Sequence, residues 1–220
     1  MPRRYRVALV SGGSKGIGYM IGKELLRKIP SSYAFLTSRG DTGGMESILG
    51  MELGGGCRKR TAFITMDVND QRCVREYADD IDKRYGGLDI LINNAAIYER
   101  PDLENFHEQA KRIMQTNYFG TRNVIDAFFK NPKQHARMIN ITSNLAHVKE
   151  KNPCEVEALK KLTRDRFLSA GNLNELNGLV YKFEEDVASG RCKEEGWPEC
   201  AFSVSKMAVN AYTRFGMSFS

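Results

Sequence analysis

The stretch Ser11-Gly12-Gly13-Ser14-Lys15-Gly16-Ile17-Gly18 follows the apolar run Val7-Ala8-Leu9-Val10 and opens a helical pattern. Glycines at such a junction permit a tight turn and let backbone N–H groups approach a pyrophosphate at a helix N-terminus. The spacing, Gly12-x-x-x-Gly16-x-Gly18, is not G-x-G-x-x-G. A P-loop is excluded as well, because Gly22-Lys23 is followed by Glu24 where Ser or Thr is needed. About 20 residues past the glycines a ribose-binding carboxylate is expected. The chain instead has Ser38 and Arg39 there, with Asp41 just beyond. A carboxylate repels a 2′-phosphate, whereas the Arg39 guanidinium pairs with one, and Lys15 in the turn can face the same group. The pattern favours NADP over NAD.

Such a turn needs strands and helices in alternation to position it. Residues 5–11, 33–37, 61–66, 88–92 and 138–141 read as short buried strands. Residues 16–29 (ended by Pro30), about 70–85, and 110–130 with a weaker helix before it read as helices. Apolar strands separated by amphipathic helices predict an α/β fold, a doubly wound parallel Rossmann-type sheet covered on both faces. From residue 147 to 200 the pattern changes to charged helical stretches, 155–167 and 173–189, with no good strand between them. This predicts a single domain over 1–220 carrying a helical insertion at 147–200, and a last helix from about 201 to 219.

Composition narrows the class. The 220 residues are 41% hydrophobic and 10% aromatic, enough for a folded core, and no apolar run approaches the length of a membrane span. The basic start, Met1 to Arg6, precedes too short an apolar run for a signal peptide and reads as the approach to the first strand. The net charge is +6, but the bases at Arg3/Arg4/Arg6, Arg58-Lys59-Arg60 and Lys160/Lys161/Arg164/Arg166 are mixed with acids and lack interleaved aromatics. They read as solvated surface, with no nucleic-acid partner. Cys57, Cys73, Cys154, Cys192 and Cys200 are odd in number and widely spaced, which predicts reduced thiols in a cytoplasmic protein. His107, His135 and His147 show no metal-ligand spacing, and the sequon-like Asn140-Ile141-Thr142 lies in a strand-like run.

In order along the chain, these residues resemble the short-chain dehydrogenase/reductase family. Ser11 to Gly18 resembles its T-G-x-x-x-G-h-G turn, with Ser in the Thr place. Asp67-Val68 resembles the pair that contacts adenine, and Asn93-Asn94-Ala95-Ala96 resembles N-N-A-G. Asn117 matches the catalytic Asn of the long helix, Ser143 the catalytic Ser, and Lys206 the Lys of Y-x-x-x-K. The long stretch from Ser143 to Phe202, ending in Glu195-Gly196-Trp197-Pro198, resembles the monomeric NADPH-dependent carbonyl reductases. The sequences Phe106-His107-Glu108-Gln109-Ala110 and Phe183-Glu184-Glu185-Asp186 fit that branch too. The resemblance implies a monomer without a membrane partner that reduces a small-molecule carbonyl (ketone, aldehyde or quinone) with NADPH. It further implies that Gly12, Ser14, Lys15, Gly16, Ile17, Gly18, Arg39, Asp67, Val68, Asn94, Ala95 and Lys206 hold the cofactor. It likewise implies that Asn117, Ser143, Phe202 and Lys206 occupy the catalytic positions.

Two departures accompany the resemblance. Position 202, four before Lys206, is Phe, which has no proton to give. General acid catalysis contributes about 10²–10⁴-fold, so turnover is expected to fall by that order unless water or Ser143 substitutes. Tyr98, Tyr118, Tyr181 and Tyr212 do not keep the family spacing, and Ser203 and Ser205 do not match a phenol's acidity. Family members also continue past this last helix into two further strands. The expectation is therefore a C-terminally truncated sheet with an exposed fifth-strand edge, marginal stability and weak NADPH binding. An impaired NADPH-binding module or a truncated product remain the alternatives.

Overall fold

Five strands lie side by side, all parallel, in the spatial order β3-β2-β1-β4-β5. They are β1 (Arg6–Val10), β2 (Ser32–Ser38), β3 (Thr61–Thr65), β4 (Ile90–Asn93) and β5 (Arg137–Asn140). The computed structural model describes residues 5–40, 45–54, 56, 59–100, 105–130, 132–146 and 155–215. Arg3, Arg4, Asp41, Cys57, Arg58, His147 and Cys154 lie outside the described residues. So does the end of the last predicted helix, residues 216–219.

The described chain forms two compact units, Met1–Ala95 with Gly120–Ile141 and Ala96–Phe119 with Thr142–Ser220. The first holds the whole sheet and the helices α1 (Gly16–Lys28), α2 (Met45–Leu53), α3 (Gln71–Tyr85) and α5 (Gly120–Phe128). Strand parity distributes the side chains between the two faces. On β2, Ala34 and Leu36 join Leu26 of α1 and Leu49 of α2 in one buried cluster. The alternate residues Tyr33 and Phe35 point the other way, and their rings stand 5.6 Å from that of Tyr85 on α3. Helices thus cover both faces, as the alternation predicts. Asp70 caps α3 by accepting the Arg72 and Cys73 N–H groups, and Gly86 ends it in the left-handed conformation. β5 pairs with β4 and with no other described strand, leaving Ile139 43% exposed.

The second unit contains α4 (Phe106–Met114), a π-helical turn at Gln115–Phe119, a 3₁₀ turn at Asn144–Ala146, α6 (Glu155–Ser169), α7 (Leu173–Ala188) and α8 (Ala201–Phe215). Its core gathers on Trp197, which is fully buried. The Phe183 ring stands 5.5 Å away, the Arg166 guanidinium lies 4.8 Å over the indole, and Asp186 accepts the indole N–H at 2.7 Å. The charged sequence around Trp197 thus encloses one aromatic anchor and its acid. Strand ends and most helix ends agree with the predicted ones within one or two residues, but the helix predicted over 110–130 begins earlier, at Phe106, and the π turn divides it into α4 and α5. α2 has no counterpart in the sequence reading, because Gly50 interrupts it and its nine residues are too few for a clear period.

Candidate active site

β1 and β4 are neighbours at the point where the strand order reverses, the place where open α/β sheets bind ligands beyond the carboxyl ends of their strands. The turn after β1 meets the segment after β4 there. Gly12 adopts φ +66°, which a side chain rarely tolerates. A Cβ on Gly18 would collide with the Gly12 carbonyl oxygen and approach the Asn94 Nδ2 to 2.5 Å. Asn94 Nδ2 donates to the carbonyls of Ser11 (3.1 Å) and Gly12 (3.0 Å). The Ser11 hydroxyl in turn accepts the N–H groups of Asn94 and Ala95, both at 3.0 Å.

Helix α1 begins directly after this turn. Lys15, at its N-cap, makes no side-chain cap, and its first turn holds no acid. The leading N–H groups and the positive end of the helix dipole are thus left for an anion, with Ser14 half-buried and Lys15, Gly16 and Ile17 exposed beside them. Arg39 is exposed just past β2. After β3, Asp67 accepts the Asn69 N–H at 2.9 Å, and Val68 is buried where a Cβ on Gly120 would meet it at 2.6 Å. These residues fit a phosphate-bearing nucleotide: a glycine cradle, an uncapped helix start and a cation where a ribose acid would otherwise stand.

Within the second unit, Asn117 occupies the centre of the π turn and is fully buried. Such turns often mark functional sites. Its Oδ1 accepts the Ile97 N–H at 2.8 Å, and its Nδ2 donates to the Ile97 carbonyl and to Ser205 Oγ, both at 3.0 Å. The Ser205 hydroxyl in turn donates to the Phe202 carbonyl at 2.7 Å. Ser143 stands immediately before the 3₁₀ turn, and its hydroxyl accepts the Leu145 N–H at 3.2 Å. The Leu145 carbonyl accepts from Ser203 Oγ at 2.6 Å, so that turn is tied to α8. Lys206 is buried on α8 with its ammonium 5.6 Å from the centre of the Phe202 ring, and burial lowers its pKa to about 8.

Four residues absent from the predicted set take part in this geometry. Ser11 and Ser205 anchor the two polar clusters. Glu99 accepts the Phe202 N–H at 2.7 Å at the start of α8. Tyr98 lays its ring 4.7 Å from that of Phe202. No local spacing could have flagged Tyr98 or Glu99, because both act on a residue far along the chain.

Residues 6–155 match the short chain dehydrogenase family, and the chain belongs to it. It is 35% identical over 209 residues to carbonyl reductase (NADPH) 1 of Bos taurus, a match covering 94% of this chain and 72% of that protein. Its identity to carbonyl reductase (NADPH) 1 of Homo sapiens is 36%, with the same coverage. Among solved structures, menthone neomenthol reductase from Mentha piperita superposes with a TM-score of 0.81 at 26% identity, covering 98% of this chain and 86% of the other.

Proposed function

We propose that this chain is an NADPH-dependent reductase of small carbonyl compounds, namely ketones, aldehydes or quinones. The observation that carries the reading is the uncapped start of α1, which follows the Gly12–Gly18 turn at the reversal point of the sheet. The resemblance to the NADPH carbonyl reductases supports it over most of the chain.

When bound, NADPH would supply a hydride to the carbonyl carbon. The chain's own residues bind and polarise. Backbone N–H groups at the start of α1 would hold the pyrophosphate, while Arg39 and Lys15 would pair with the 2′-phosphate. Asp67 and Val68 border the adenine, and Asn94 and Ala95 line the nucleotide beyond β4. The Ser143 hydroxyl donates to the substrate oxygen, and the Lys206 ammonium holds the nicotinamide ribose hydroxyls. Asn117 keeps the π turn and α8 in register through Ser205. As part of the same proposal the protein works as a cytoplasmic monomer on a free small molecule. The described cysteines Cys73, Cys192 and Cys200 are free thiols, in keeping with that compartment. The phenyl ring of Phe202 favours a second reading, a nucleotide-binding module without turnover.

Titration by cofactor fluorescence, with turnover assays on a dicarbonyl and a quinone, tests the proposal. NADPH should bind about 10–100-fold tighter than NADH, the worth of a charge-assisted phosphate contact, and Arg39→Ala should reduce that preference, with Lys15 retaining part of it. Equal affinity for the two cofactors, or none for either, overturns it. Binding without turnover supports the second reading.

A further inference from the structure

We propose that the Tyr98 phenol donates the proton that Phe202 cannot. This deepens the carbonyl-reductase reading and rests on it. Among the described residues, Tyr98 is the tyrosine whose ring packs on Phe202, at 4.7 Å between centroids and tilted by 54°. The Lys206 ammonium lies 5.6 Å from the centre of that same Phe202 ring. One phenyl ring is therefore in contact with both a phenol and a buried cation.

The chain around Tyr98 is tied on both sides, through the Ile97 backbone on one and the Glu99 side chain on the other. Asn117 clamps Ile97 with two hydrogen bonds, at 2.8 and 3.0 Å, and Glu99 takes the Phe202 N–H at 2.7 Å. The phenol is thus carried by a fixed segment rather than a free loop. Its residue is 53% exposed, so water reaches it. Partial burial, with the neighbouring Cys200 and Glu99, raises its pKa above the ordinary 10.0, and the group stays protonated at neutral pH.

The step balances without any further reactant. The hydride that NADPH would supply leaves a C–H bond of its dihydronicotinamide, oxidising the cofactor to NADP⁺. As it forms a C–H bond at the carbonyl carbon, the C=O π pair moves onto oxygen. That oxygen takes the Tyr98 proton, an alcohol O–H forms, and the phenolate is reprotonated from solvent. An alkoxide is a far stronger base than a phenolate, so the transfer is downhill even from a weakened acid.

The test uses the full chain and the variants Tyr98→Phe, Phe202→Tyr and the double substitution. Wild type should bind NADPH and turn over a dicarbonyl. Tyr98→Phe should lower kcat about 10²–10⁴-fold while its NADPH affinity by fluorescence stays within about twofold. Phe202→Tyr placed on Tyr98→Phe should restore turnover. Tyrosinate absorbance, wild type less Tyr98→Phe, should show the phenol ionising above pH 10.0. Wild-type kcat in Tyr98→Phe, or a Tyr98 already ionised at neutral pH, overturns the proposal. So does a wild type that binds NADPH but gains turnover only with Phe202→Tyr, an outcome that leaves the nucleotide site standing. A wild type that binds no NADPH overturns the carbonyl-reductase reading and this proposal together.

Discussion

Ser11 and Asn94 are locked together in both directions: the Ser11 hydroxyl accepts the Asn94 N–H at 3.0 Å, and the Asn94 amide donates to the Ser11 carbonyl at 3.1 Å. Ser11 is 2% exposed, so the bonds are shielded from water. Ser11→Ala leaves two N–H groups, of Asn94 and Ala95, without their acceptor. The expected cost is about 1–3 kcal/mol, a fall of several degrees in the melting temperature. Ser11→Thr, which keeps the hydroxyl, should recover most of it. Scanning calorimetry of the three proteins checks this, and an unchanged melting point for Ser11→Ala would refute it.

The closeness of Gly18 to the Gly12 carbonyl makes a methyl group there intolerable without backbone movement. Gly18→Ala should destabilise the fold by about 1–3 kcal/mol and weaken NADPH binding more than tenfold by opening the turn. Urea denaturation and cofactor fluorescence read the two effects separately.

Lys206 ties turnover and stability to alkaline pH in opposite directions. With its pKa brought down to about 8 by burial, the ammonium is lost as pH rises through that value, and kcat/KM should fall with it. Lys206→Arg keeps the charge and should carry the falling limb to higher pH. For folding, a lowered pKa means that the unfolded chain holds more protons between pH 8 and its ordinary 10.5. Stability therefore gains from this residue as pH rises across that window, a gain Lys206→Met should lack. Chemical denaturation of both proteins at several pH values measures the difference.

Asp186 should make the helical unit acid-sensitive. It is 1% exposed, and burial by itself pushes its carboxyl up. The Trp197 indole N–H at 2.7 Å, Lys182 at 3.0 Å and Arg191 at 3.8 Å outweigh that and hold it below the usual carboxylate range. A depressed carboxylate contributes stability above its unfolded pKa of 3.8 and loses it as pH falls through the lower folded value. Asp186→Asn should flatten that acid loss, while Asp186→Ala, which strands the buried indole N–H, should cost about 1–3 kcal/mol at neutral pH. Trp197 fluorescence during acid and urea unfolding follows both.

What could be read from the chain beforehand was what lies close together along it. The Gly12–Gly18 turn, Arg39 after its strand and the alternation of apolar runs with amphipathic helices are local patterns, and the parallel sheet follows from them. Family resemblance added Asn117, Ser143 and Lys206 by position alone. The partners of those residues were not legible. Asn117 meets Ser205 across 88 positions and Phe202 meets Glu99 across 103, and only the folded backbone sets such distances. The absent hydroxyl at Phe202 was plain in the sequence, whereas the Tyr98 ring beside it was not, because a loop position carries no periodic signal.

The bare start of α1 has a consequence for the life of the polypeptide. A helix beginning with no side chain to close it is completed only by something that arrives from solution. A ligand seated there at a hundredfold excess over its Kd would shift the folding equilibrium by about 2.7 kcal/mol. Resistance to proteolysis should then rise with the concentration of dinucleotide.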